Sequence, residues 1–219
     1  RLRTTSRGGR RWYDWRGERY WSVTTILNGG LPKPALLPWG IKMVAEGAAD
    51  LADQLPALVK KDREAAVQML KGLPYSKRQQ AADLGSLVHA ATEAYVLGKP
   101  MPRWPLPVAA RMKTFERFLA DYEPEYELGM AEAPIFSRSE RYAGTLDAVI
   151  AVDGRRLLLD LKTGKGVYPE VALQLSAYRY AEFVGLPDGS EQPMLEVDGC
   201  VVLHIPESGD DYQLLNVQA

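Results

Sequence analysis

The chain has 219 residues and a mass of 24.4 kDa, with 46% apolar and 25% charged residues. That balance excludes a disordered or collagen-like chain and suits one domain, or one domain with a helical elaboration. The net charge of −1 hides an asymmetry: residues 1–19 hold seven arginines and two acids, and residues 182–219 hold eight acids and no Lys or Arg. A basic arm of this kind can touch polyanions, or can simply be a solvated terminus. No apolar run approaches the roughly 18–20 residues that span a bilayer, and nothing resembles a signal peptide. The first residue is Arg1 rather than Met, which leaves room for a trimmed leader. The single cysteine, Cys200, excludes a disulfide framework and any four-cysteine zinc or iron–sulfur site within the chain. A reducing, intracellular setting is the default.

In chain order, the aromatic stretch Arg11 to Trp21, centred on Arg16-Gly17, reads as a short hairpin. Ser22 then stands as N-cap before Val23-Thr24-Thr25-Ile26-Leu27. Asn28-Gly29-Gly30 and the prolines at 32, 34 and 38 mark a loop. Helical periodicity runs from Trp39 to about Leu55 and from Pro56 to Lys71, with Gly72 as the expected stop. A longer helix is expected from Ser76 to Leu97, and another from Pro107 to Tyr122.

The period then changes from 3.6 to 2. Strands are expected over 126–136, 141–152 and 155–162, the last two joined by the tight-turn pair Asp153-Gly154. A helix follows from Pro169 to about Val184, then strands over 195–205 and 211–217. This order predicts an α/β (α+β) chain with a central mixed sheet flanked by helices. Residues 1–219 read as one domain, with 1–124 mostly helical and 125–219 the β-rich core.

The second and third strands carry charges that their apolar pattern does not explain. Asp147 interrupts Thr145-Leu146-Asp147-Ala148-Val149-Ile150, and Asp160 and Lys162 share one face of Leu157-Leu158-Leu159-Asp160-Leu161-Lys162. A tight turn at Asp153-Gly154 sets Asp160 opposite Asp147, about 4.5–5.5 Å apart at Cβ. Opposed carboxylates are unfavourable unless a cation lies between them, and oxygen ligands at this spacing suit Mg²⁺ or Mn²⁺. A salt-bridge cluster of Asp147, Lys162 and Asp160 without chemistry is the competing reading. His89 lies mid-helix, one turn from Glu93 and near the small residues Gly85 and Ala90; such a histidine is more often a hydrogen-bonded core residue than a ligand. Gln174 and Tyr178 share a helix face. Glu132 reads first as an edge-strand surface acid.

Taken together, Gly144-Thr145-Leu146-Asp147, Asp160-Leu161-Lys162, and Gln174 with Tyr178 resemble the PD-(D/E)xK nuclease superfamily. Within it they are most similar to the RecB/Cas4-like exonuclease branch, including phage-type exonucleases. The helical His89, Ser22 to Leu27 and Leu37-Pro38-Trp39 add to the likeness. The matches run in order from residue 22 to 178. D-x-K alone is a weak signal; the ordered set is specific.

The resemblance implies a restriction-endonuclease-like core and a metal-dependent DNA exonuclease that leaves 5′-phosphates. It implies that His89, Asp147 and Asp160 hold one or two Mg²⁺ or Mn²⁺ ions, with the Leu161 carbonyl as a further ligand. Lys162 would be the catalytic lysine, beside Asp147 and Asp160. Gln174 and Tyr178 would line the site and steady DNA, and Glu132 would assist. The lone cysteine departs from the cluster-bearing members, so no iron–sulfur cluster is expected. The implied partners are DNA, as single strands or duplex ends, and a recombination protein; no membrane is implied. The implied setting is the cytoplasm of a bacterial or phage-infected cell, in recombination, repair or phage DNA processing. A structure-specific endonuclease and a catalytically dead DNA-binding module of the same fold are the alternatives.

Overall fold

A computed structural model describes Leu2–Ala219; Arg1, counted in the basic arm, lies outside the described residues. The chain divides into two compact units. One comprises Arg1–Gly30 and Gly85–Ala219, the other Leu31–Leu84. The divisions fall at residues 30 and 84.

The larger unit is built on one mixed sheet of ten strands. Its N-terminal ribbon consists of β1 (Arg3–Arg7), β2 (Arg10–Trp15) and β3 (Glu18–Ser22). The Arg16-Gly17 turn forms as expected, with positive φ at both residues; β1 is an additional strand paired to β2. The centre is β4 (Glu125–Ser137), β5 (Tyr142–Val152) and β6 (Arg155–Lys162). Asp153 and Gly154 both adopt positive φ, the backbone of a type I′ turn whose twist matches its strands. Register runs from Val152↔Arg155 to Ala148↔Leu159, as the turn predicts.

Helix α1 (Val23–Gly30) follows Ser22, whose Oγ accepts the Thr25 N–H at 3.1 Å and so caps it. It continues three residues past Leu27, through Asn28-Gly29-Gly30. Later come α5 (Leu106–Tyr122) and α6 (Glu170–Arg179). Val108, Met112, Phe115 and Phe118 bury one stripe of α5. The buried Arg111 on the same helix donates to the carbonyls of Pro107 and Glu207, both at 2.9 Å.

Helix α6 is shorter than its sequence period suggests. Phe183 and Val184 leave it for β7 (Phe183–Gly185), which pairs with Ile135 and Phe136 of β4. The flat stack of Phe183 on Phe136, at 5.1 Å and 12°, accounts for the switch. Strands β8 (Glu191–Pro193), β9 (Gly199–His204) and β10 (Gln213–Val217) complete the sheet, with β6 and β9 parallel across the α6 crossover.

The smaller unit contains α2 (Leu36–Asp50), α3 (Leu55–Lys61) and the first part of α4 (Arg63–Val96). Two expectations fail here. Pro38 lies in the first turn of α2, where a missing N–H costs nothing, so the loop is shorter than its prolines suggest. Gly72 does not stop a helix: α4 runs on for 34 residues with Pro74 inside it. The Ser76 hydroxyl there donates to the Leu73 carbonyl at 3.0 Å. Among the described residues no helix is long and apolar enough to cross a membrane.

Candidate metal centre

Strand β5 has two edges and three partners. Antiparallel β4 takes one edge along most of its length. The other edge is shared: parallel β3 pairs at Tyr142 and Ala143, and β6 pairs from Ala148 onward. Between them Gly144-Thr145-Leu146-Asp147 borders a fork in the sheet, and the charged residues singled out by sequence gather around it.

Asp147 stands where β5 and β6 part. Its Oδ2 accepts the Leu161 N–H at 2.6 Å, taking the place of the next ladder bond. The Lys162 carbonyl on the opposite edge of β6 accepts the Ile205 N–H at 2.8 Å. Backbone groups alternate edges along a strand, so the Leu161 carbonyl leaves on the same side as its N–H, toward the fork.

His89, on the part of α4 that belongs to the larger unit, places Nδ1 3.4 Å from Asp147 Oδ1 and 3.9 Å from Glu132 Oε1. One ligand atom from each of His89, Glu132 and Asp147 lies within 4.8 Å of the others. The small residue at Gly85 matters here. A Cβ added at that point would stand 3.3 Å from Thr163 Oγ1, so α4 approaches the end of β6 closely.

Glu132 owes its position to a break in β4. Register shifts between Tyr126 and Ala131, next to Gly129, and resumes with Ala131↔Ala148 and Ala133↔Leu146. Glu132 is thereby turned toward Asp147. Its own φ is +51°, a left-handed conformation that costs a non-glycine residue about 1–3 kcal/mol. Sequence reasoning gave it only an assisting place; Gly129 inside a strand pattern was the available sign of a bulge.

Asp160 is 2% exposed. Gln174 Nε2 donates to its Oδ1 at 3.1 Å, and Gln174 also donates to the Tyr178 hydroxyl at 3.3 Å. Lys162 Nζ lies 2.6 Å from Asp160 Oδ2, yet that buried oxygen receives no well-aligned hydrogen bond. It is a strong acceptor held out of water by an ion pair alone. All seven residues expected at the site therefore surround the fork, although the closest triad includes Glu132 and not Asp160.

The charges are strongly coupled. Burial disfavours the His89 cation, but Asp147 and Glu132 outweigh it and push its pKa up to about 10. Burial also opposes the Asp147 carboxylate; His89, Lys162 and the Leu161 N–H overcome that and hold its pKa below the usual range. For Asp160 burial prevails over Lys162, aided by the nearby Asp147, and its pKa rises to about 6. A cavity of about 30 Å³ opens beside His89, Glu132 and Asp147, roughly enough for one or two small occupants. The chemistry of this donor set fits a hard divalent cation: carboxylate oxygens, one imidazole and a backbone carbonyl, with a buried acceptor lacking an aligned donor.

Gly144 protects the arrangement. A Cβ there would lie 2.9 Å from Tyr178 Cζ, and Tyr178 is 4% exposed. Gly144→Ala is therefore expected to destabilise the fold by about 1–3 kcal/mol through overpacking, measured by urea unfolding. An unchanged midpoint would show that the ring shifts freely.

No family model matches the chain, and no curated protein matches it.

Proposed function

We propose that the chain is a metal-dependent deoxyribonuclease of the PD-(D/E)xK type, with a restriction-endonuclease-like core. The observation that carries the reading is the meeting of Asp147, the buried Asp160 and Lys162 where β5 and β6 part, closed from the helical side by His89. His89, Glu132, Asp147, Asp160 and the Leu161 carbonyl would hold one or two Mg²⁺ or Mn²⁺ ions. Bound there, the ion supplies Lewis-acid chemistry, neutralising phosphate charge and lowering the pKa of water. Lys162 stabilises charge developing on the scissile phosphate and orients the attacking water. Gln174 holds Asp160 in position, and Tyr178 holds Gln174. The resemblance of the ordered motif set favours an exonuclease leaving 5′-phosphates, in recombination, repair or phage DNA processing.

One feature favours a second reading, a metal-free scaffold. His89 with Asp147 and Lys162 with Asp160 already form opposite-charge pairs. End-labelled linear single- and double-stranded DNA, with closed circular DNA alongside, in Mn²⁺, Mg²⁺ and EDTA, separates the possibilities. The exonuclease digests linear DNA only with metal and spares circles. Cutting of circles establishes an endonuclease instead. No hydrolysis and no Mn²⁺ binding by the folded protein establishes the scaffold.

A further inference from the structure

The aromatic and basic N-terminal segment separates into two faces. Tyr13, Trp15 and Tyr20 point inward and are at most 2% exposed, forming a satellite core with Phe136, Ala143 and Phe183. The alternate residues point outward. Register places Thr5, Trp12 and Trp21 in one row, Arg3, Asp14 and Arg19 in a second, and Arg7 and Arg10 in a third. Successive same-face residues on a strand are about 7 Å apart, so the two arginine rows flank the tryptophan row.

The rings are held in place. Trp12 and Trp21 meet edge to face, with centroids 5.9 Å apart at 73°. The Arg19 guanidinium lies 5.1 Å from the Trp12 centroid, and its Nε is 3.1 Å from Asp14 Oδ1. Trp21 remains 42% exposed. Among the described residues, no carboxylate comes within ion-pair distance of Arg3, Arg7 or Arg10. An exposed indole flanked by the guanidinium groups of Arg3, Arg7 and Arg10, with Arg19 alone turned to Asp14, suits a ligand that is both flat-ringed and polyanionic. It does not suit an apolar partner. A duplex hides its ring faces, whereas a single strand presents them.

We infer that the outer face of β1–β3 binds single-stranded DNA. A base stacks on Trp21, Trp12 fixes the orientation of that ring, and Arg3, Arg7 and Arg10 bind phosphates. The choice of DNA rests on the nuclease reading above; the inference adds the form in which the polymer is held. The ribbon joins β5 at one end of the fork. Ser22 at the end of β3 pairs with Ala143, and Asp147 lies four residues further along β5, about 13 Å at strand rise.

The test is fluorescence anisotropy of a labelled oligothymidylate with the full chain in EDTA, where hydrolysis is off. Trp21→Ala is expected to weaken binding about tenfold or more, and Trp21→Phe to restore most of it. Arg7→Ser with Arg10→Ser is expected to lower the salt-dependence slope by about 0.7 for each phosphate no longer neutralised. Rates on linear DNA in Mn²⁺ are measured for the same variants, so loss of catalysis and loss of this surface are read separately. Both ribbon variants change exposed residues, and their thermal unfolding verifies the fold. Wild-type affinity and salt slope in folded Trp21→Ala and Arg7→Ser/Arg10→Ser would overturn the inference. Equal binding of a blunt duplex, equally sensitive to Trp21→Ala, would overturn it too.

Discussion

Asp160→Asn is expected to lower metal-dependent hydrolysis on the order of a thousandfold or more while raising the melting temperature at pH 8 in EDTA. The two effects share one cause. Asp160 is almost wholly buried, with one oxygen bonded to Gln174 and the other facing only the Lys162 ammonium. Burial raises its pKa to about 6, above that of an unfolded aspartate at roughly 3.9. As pH rises between these values the unfolded chain loses its proton first, so folding loses stability over that interval. Above pH 6 the full penalty is present; below about pH 4 both states are protonated and the penalty is gone. Asparagine keeps the hydrogen bond to Gln174 and carries no charge, and the partly exposed Lys162 can turn to water. The stability gain of the variant should therefore be largest at pH 8 and vanish near pH 4. Thermal scans at both pH values, with rates on linear DNA, check this. A variant that hydrolyses at the wild-type rate, or that melts lower at pH 8, would falsify the assignment of Asp160 as a strained metal ligand.

Lys162→Met is expected to cut kcat by about 10²–10³-fold without loss of Mn²⁺ affinity. In the absence of an ion, Lys162 balances Asp160 at 2.6 Å. A divalent cation competes with that ammonium for the same oxygen, so removing Lys162 leaves the carboxylate freer to bind metal. Methionine retains much of the aliphatic bulk. Calorimetric titration with Mn²⁺ and single-turnover kinetics separate the roles. Should metal binding fall in proportion to rate, Lys162 would be a support for the carboxylates and not a participant in the chemistry.

Much of the site was legible because it is written in local geometry. Asp153-Gly154 specifies the turn, the turn specifies the register, and the register runs to Ala148↔Leu159, just short of Asp147 and Asp160. The parts that escaped depend on distant partners. Within residues 126–136 only Gly129 hints at a bulge, and it does not say that β4 slips its register before Ala131 and turns Glu132 toward His89. The three-residue β7 exists because Phe136 is there to stack on, 47 residues before Phe183 in the chain. Gly72 and Pro74 are breakers by propensity, yet they sit within a long run of helix-forming residues that continues through them. That His89 meets Asp147 was implied by resemblance, not by spacing.

The fork in the sheet also bears on how the chain reaches its fold. β3 pairs with β5 across roughly 120 residues, Trp21 with Tyr142, whereas β1, β2 and β3 pair with one another through tight turns. Local hairpins close in microseconds, but pairing between such distant segments must wait for the intervening chain. During synthesis the ribbon is complete long before Phe136, Ala143 and Phe183 emerge to cover Tyr13, Trp15 and Tyr20. Through that interval it carries an open edge and a bare aromatic face, the combination most prone to pair with a neighbouring chain. Its arginines, repelling their counterparts on other nascent copies, are well placed to keep that edge solitary until β5 arrives.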